Sequence, residues 1–206
     1  EFLYFMIQVL IVHGGMTFKS EEDYVEWLKN LEVNLDERKS WKKYFAEELG
    51  GGFQVINPKF PLKENAKYSE WKIKYEKYLE VMGEDIILIG GSLGGIFLAR
   101  YLSENKVSKN IISVYLIAPP FDDTLSDEDL CNGFELKDDL SLIMENCQNV
   151  NLMFSEDDNV VPIKHADKYR KKLPDAEYII FDSKNGHFQI EEFPELVDLV
   201  RSDVKL

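Results

Sequence analysis

A chain of 206 residues with 45% hydrophobic and 13% aromatic side chains can bury a substantial core and is too apolar to be disordered. Its formal charge of −14 argues against nucleic acid and against anionic membrane surfaces as partners. No apolar run reaches membrane-spanning length, no signal-peptide pattern is present, and two cysteines, Cys131 and Cys147, are too few for a disulfide framework, which together predict a soluble, cytoplasmic protein with free thiols.

The opening Glu1-Phe2-Leu3-Tyr4-Phe5 looks like a protease-site remnant of an expression vector, so one domain is read over 6–206 with Met6 as its native start. Residues 6–12 read as a buried strand that ends in His13-Gly14-Gly15. In the long connection that follows, Ser20 with Glu21, Glu22 and Asp23 signals a helix start, and Tyr24, Trp27, Leu28 and Leu31 recur at helical spacing. A second helix is predicted from about Lys39 to Leu49, stopped by Gly50-Gly51-Gly52, and a short strand over 53–57 comes next. Tyr68, Trp71, Tyr75, Tyr78, Leu79 and Met82 form a helical aromatic stripe, read as core packing. Further strands are expected over 86–89, 111–118, 151–154 and 178–181. Helices are expected over 162–173 and 194–204, each with proline at its first position. This alternation implies a parallel sheet with helices on both faces. Residues 122–139 carry eight carboxylates against the single Lys137 and read as a solvated acidic loop, though one leaving the carboxyl end of a central strand, where α/β sites form.

The stretch Ile86-Ile87-Leu88-Ile89-Gly90-Gly91-Ser92-Leu93-Gly94-Gly95 is the one that carries chemistry. Gly90, Ser92 and Gly94 make G-x-S-x-G between a strand and a helix, the pattern of a nucleophile elbow. The turn is sharp enough to strain the serine, and residues two before and two after it must lack side chains. Rival glycine motifs fail: a dinucleotide fingerprint would need glycine at Ser92, and a phosphate-binding loop would need lysine at Ile96.

A serine nucleophile needs a base. His13 opens a glycine turn and suits loop architecture. His165 lies among charged neighbours, Lys164 and Asp167-Lys168, and reads as a surface residue. His187 follows the last strand at the carboxyl end of the sheet, so elimination and topology select it. Its acid partner must come from Asp157-Asp158, after the penultimate strand, where the alternative role is to cap the proline-started helix. The order serine, aspartate, histidine is that of an α/β-hydrolase. The oxyanion hole is expected from two backbone N–H groups: that of Leu93, just after the serine, and that of Gly15.

These residues resemble the small single-domain α/β-hydrolases grouped with retinoblastoma-binding protein 9 and the bacterial YdeN-type serine hydrolases. The resemblance runs through His13-Gly14-Gly15, the elbow, Asp157-Asp158 before Val161-Pro162, and Gly186-His187-Phe188-Gln189 with Glu192-Phe193. It implies an α/β-hydrolase fold without a cap domain, six parallel strands in order 2-1-3-4-5-6, and Asp158 rather than Asp157 as the acid. The family often has histidine where Gly91 stands, and the first connection is longer here. The family's Leu-x-Cys-x-Glu retinoblastoma-binding motif is absent, since Leu130 and Cys131 are adjacent, so that partner is not implied. The expected function is a serine hydrolase of small esters or amides, using Ser92, Asp158 and His187 with no metal and no cofactor, as a monomer or weak homodimer. The alternative is a non-catalytic binding module on the same fold.

Overall fold

The computed structural model describes residues 6–35 and 40–204; the suggested remnant 1–5 and the suggested helix start at Lys39 lie outside them. In chain order the elements are β1 (Ile7–Val12), α1 (Glu21–Lys29), α2 (Trp41–Leu49), β2 (Phe53–Ile56), α3 (Tyr68–Val81), β3 (Asp85–Gly91), α4 (Leu93–Glu104), β4 (Asn110–Ile117), α5 (Leu142–Asn146), β5 (Cys147–Ser155), α6 (Lys164–Lys172), β6 (Glu177–Phe181) and α7 (Pro194–Asp203). The six strands are all parallel, in the order β2-β1-β3-β4-β5-β6.

The central strands are predominantly apolar because each of their faces is covered by helices. Leu10, Val12, Ile86 and Leu88 point to one side, where Trp71 and Tyr75 of α3, Phe97 of α4 and Tyr169 of α6 pack on them. Val9, Ile11, Ile87 and Ile89 point to the other, against Phe45 of α2 and Leu196 and Val200 of α7. The aromatic stripe of α3 is core, as its spacing predicts: Trp71 and Tyr75 are fully buried, and Trp71 meets Phe97 and Phe134 edge-on. Burying these rings is worth about 1.5–3 kcal/mol each as area removed from water.

Several local expectations shift. The strand expected over 151–154 runs from Cys147, and the short α5 ahead of it has too few residues to show a period. Pro194 stands at the start of α7, but α6 begins at Lys164, two residues after Pro162. Ser20 does cap α1, accepting the N–H of Asp23 at 3.0 Å. That helix buries no residue: it lies on the outside and touches the body through Phe18, whose ring meets Tyr24 and Trp27. Among the described residues no cap domain interrupts the strand order, and no helix is long and apolar enough to cross a membrane.

Candidate active site

At the end of β3 the chain turns into α4 through Ser92, whose φ of 52° and ψ of −120° are rare for a residue with a side chain. The flanking glycines make this turn possible. A Cβ on Gly90 would stand 2.4 Å from the carbonyl oxygen of Gly94, and one on Gly94 would stand 2.2 Å from that of Val12. A Cβ on Gly91 would meet nothing within 4 Å, so this position has room for a side chain. Leu93 opens α4, so its N–H has no acceptor inside the helix.

The turn after β1 closes against this elbow. A Cβ on Gly14 would touch that of Ser92 at 3.3 Å, and one on Gly15 would meet the Lys63 carbonyl at 2.6 Å and Leu93 at 3.2 Å. Gly15, Ser92 and Leu93 line one narrow cleft together with Pro120, Leu125, Glu128 and Val161. His13 is architectural, as expected. Its Nε2 accepts the N–H of Phe60 at 2.7 Å and its Nδ1 meets the Gly14 carbonyl at 2.6 Å, while burial lowers its pKa and keeps it neutral.

Asp158 and His187 come together: Nδ1 of His187 lies 2.7 Å from Oδ2 of Asp158. The other oxygen of Asp158 accepts the N–H groups of Val160 and Val161, both at 2.9 Å. These N–H groups precede α6, which begins at Lys164 without a side-chain cap, so the buried Asp158 carboxylate braces its own loop and does not cap that helix. Asp157 does something that reading the sequence leaves out. It accepts the N–H groups of Gly186 and Lys184 and the hydroxyls of Ser155 and Ser183, and so ties the strand-β5 loop to the loop that carries His187. Those bonds hold its carboxyl well below the usual range, the Gly186 N–H contributing most. Within the loop Asn185, Gly186 and Phe188 all have positive φ, Phe188 donates to the Gly186 carbonyl at 2.9 Å, and the Phe188 ring is buried against Phe193. His187 is thus the tip of a tight turn pinned on three sides. Among the described residues Ser92 Oγ and His187 make no hydrogen bond to each other; such contacts commonly tighten only when substrate is bound.

His165 corrects the sequence reading. It is fully buried, with Nδ1 accepting the Phe121 N–H at 2.9 Å and Nε2 facing the Thr124 carbonyl at 3.3 Å. It shares the inner face of α6 with Ala166 and Tyr169, and the charged neighbours that suggested a surface lie on the outer one. The acidic stretch 122–139 is likewise not simply solvated. Lys19 pairs with Asp123 and Asp129, Lys168 pairs with Asp122, and Leu130 and Phe134 are buried. Its middle part roofs the cleft, where Glu128 lies near enough to feel both His187 and Asp158. Burial is the main cause of the raised pKa of Glu128; His187 works against the rise and Asp158 adds to it.

The sequence matches the family described as serine hydrolase over residues 26–198. It is 28% identical to the serine hydrolase RBBP9 of Rattus norvegicus over 163 residues, which is 79% of this chain and 83% of that one. Among solved structures, the ydeN gene product of B. subtilis superposes with a TM-score of 0.74 at 18% identity, covering 96% of this chain and 98% of that one. MGS-M1, an α/β hydrolase from a Medee basin deep-sea metagenome library, gives 0.63 at 18% identity, with 97% and 82% covered. The fold is that of an α/β-hydrolase.

Proposed function

The chain belongs to the serine hydrolase family, and from that premise we propose that it cleaves small esters or amides through an acyl-enzyme on Ser92. The observation that carries the reading is the 2.7 Å contact between His187 Nδ1 and the buried Asp158, beside a serine held at a strained elbow. With Nδ1–H donated to Asp158, Nε2 of His187 is the free base and takes the Ser92 proton as Oγ attacks the substrate carbonyl carbon. The negative charge that forms on the carbonyl oxygen is received by the N–H of Leu93, at the positive end of α4, and by the N–H of Gly15. Collapse breaks the bond to the leaving group, which departs with the proton from His187. His187 then deprotonates a water that attacks the acyl carbon, and as the bond from that carbon to Ser92 Oγ breaks, the histidine returns the proton to Oγ, releasing the acid. Asp158 stays ionised throughout and stabilises the imidazolium, while its two backbone bonds keep it from swinging away.

The test is labelling by a fluorophosphonate probe together with hydrolysis of a panel of acyl, thioacyl and aminoacyl substrates. Wild-type protein is expected to label at Ser92, and Ser92→Ala to lose both labelling and about 10⁴–10⁶ of kcat with little change in melting temperature. Unlabelled folded protein without turnover would favour the binding-module alternative. Ser92→Ala with full activity would move the site elsewhere.

A further inference from the structure

Beside the Ser92 cleft lies a larger open groove of about 340 Å³, and Glu128 borders both. Phe18 and Trp27, 5.6 Å apart between ring centres, give the groove an aromatic wall, and Met16, Leu125, Asp127, Glu128 and Asp129 also line it. Two of the four acids that line the groove are already answered, since Lys19 holds Asp123 at 3.1 Å and Asp129 at 2.6 Å, and a third, Asp127, is exposed to solvent. Glu128 is different. It is half-buried, and among the described residues its carboxylate has neither a hydrogen bond nor an ion pair. A carboxylate in that position is costly unless something cationic meets it.

We propose that Glu128 is the specificity-determining residue of this cleft, and that the groove takes a substrate group with an apolar body ending in an alkylammonium cation. This rests on Ser92 acting as proposed above. The aromatic wall would bury the body of such a group and face its charge with ring electrons, and Glu128 would supply the counter-ion. A substrate bearing carboxylate or phosphate would meet Glu128 and Asp127, and among the described residues the lysine that lines the groove, Lys19, is already engaged by Asp123 and Asp129. The rise in the Glu128 pKa, caused chiefly by burial, agrees with a group awaiting a positive partner. Any effect of Glu128 on the catalytic histidine would act alike on every substrate. A charge-selecting role must therefore be read as a ratio between substrates.

The experiment compares the butyrate esters of 2-(trimethylammonio)ethanol and of 3,3-dimethylbutanol, which share a shape and differ in charge. The two alcohols are also compared for how far each slows fluorophosphonate labelling of Ser92, so that a slow ester does not hide the result. Wild-type protein is expected to favour the cationic ester by about tenfold or more in kcat/KM. The ratio should fall to near one in Glu128→Gln and below one in Glu128→Lys, whatever the absolute rates. A wild-type ratio near one in both readouts, or a ratio that both variants leave in place, overturns the proposal. Ser92→Ala keeps the two levels apart. If its turnover persists, the nucleophile is wrong; a flat ratio with Ser92-dependent turnover overturns charge selection alone.

Discussion

Two adjacent aspartates divide the work of one loop. Asp158 faces the imidazole and Asp157 fastens the backbone that presents it, so their amide variants should fail differently. Asp158→Asn is expected to lose about 10⁴ in kcat by favouring the wrong histidine tautomer. Asp157→Asn keeps an acceptor but sets an NH₂ group against donors. A misplaced His187 then costs up to about 10² in kcat, because catalysis tolerates only small displacements. The loosening of this loop by acid follows from the same bonds. The Asp157 carboxyl is held below its ordinary range, so its support is complete above that range and disappears as pH falls through the lowered value. Steady-state kinetics of the two variants, with nuclear magnetic resonance of the His187 ring, would check the pair. Equal losses would mean that both act on the imidazole directly.

The elements meet at the elbow with almost no clearance. Gly94→Ala would drive a Cβ to within 2.2 Å of the Val12 carbonyl, so α4 must part from β1, and a loss at or beyond the ~1–3 kcal/mol of ordinary overpacking is expected. Gly91→Ala meets open space and should leave the unfolding free energy, read from urea melts, within about 0.5 kcal/mol of wild type. Farther along the sheet, His165 joins α6 to the acidic stretch. Replacing it with leucine strands the Phe121 N–H and should cost about 1–3 kcal/mol. Burial lowers the His165 pKa below 6.5, so the neutral ring's contribution is full above that pH. It is lost as pH falls, because the unfolded chain binds the proton first. His13 shifts the same way, and Glu128 shifts upward and so opposes it. The difference between wild type and His165→Leu in melts from pH 7 to 5 isolates the His165 share: the wild type should lose stability more steeply.

Over the whole molecule, 38 acidic groups face 24 basic ones, and the folded state concentrates that excess. The ion pairs that salt would weaken are mostly exposed, such as Lys19 with Asp123, and pairs of that kind are worth about 1 kcal/mol or less. Relief of the general repulsion should win. The melting temperature is therefore expected to rise by a few degrees between about 0.01 and 0.15 M sodium chloride, as the Debye length drops from about 30 to 8 Å. A falling melting temperature would show that local pairs outweigh net charge.

The elbow, the order of strands and helices, and the loop ends that carry Ser92, Asp158 and His187 were legible in the amino-acid sequence, because each leaves a local trace. A parallel strand buried on both faces is apolar at every position, as 86–89 is, and a forbidden Cβ leaves a glycine, as at Gly90 and Gly94. What the sequence could not carry were the partners of charged side chains. Whether a carboxylate is solvated, paired or left alone depends on groups far along the chain: Asp129 on Lys19, Asp122 on Lys168, Asp157 on Gly186. His165 sits in a helix turn that reads as surface until Phe121 and Thr124 are folded over it. Glu128 looks like any other acid of its stretch, and only the tertiary structure, by half-burying it on the Ser92 cleft while Lys19 pairs Asp123 and Asp129, sets it apart. Steric rules act between neighbours in sequence, whereas electrostatic partnership acts between neighbours in space.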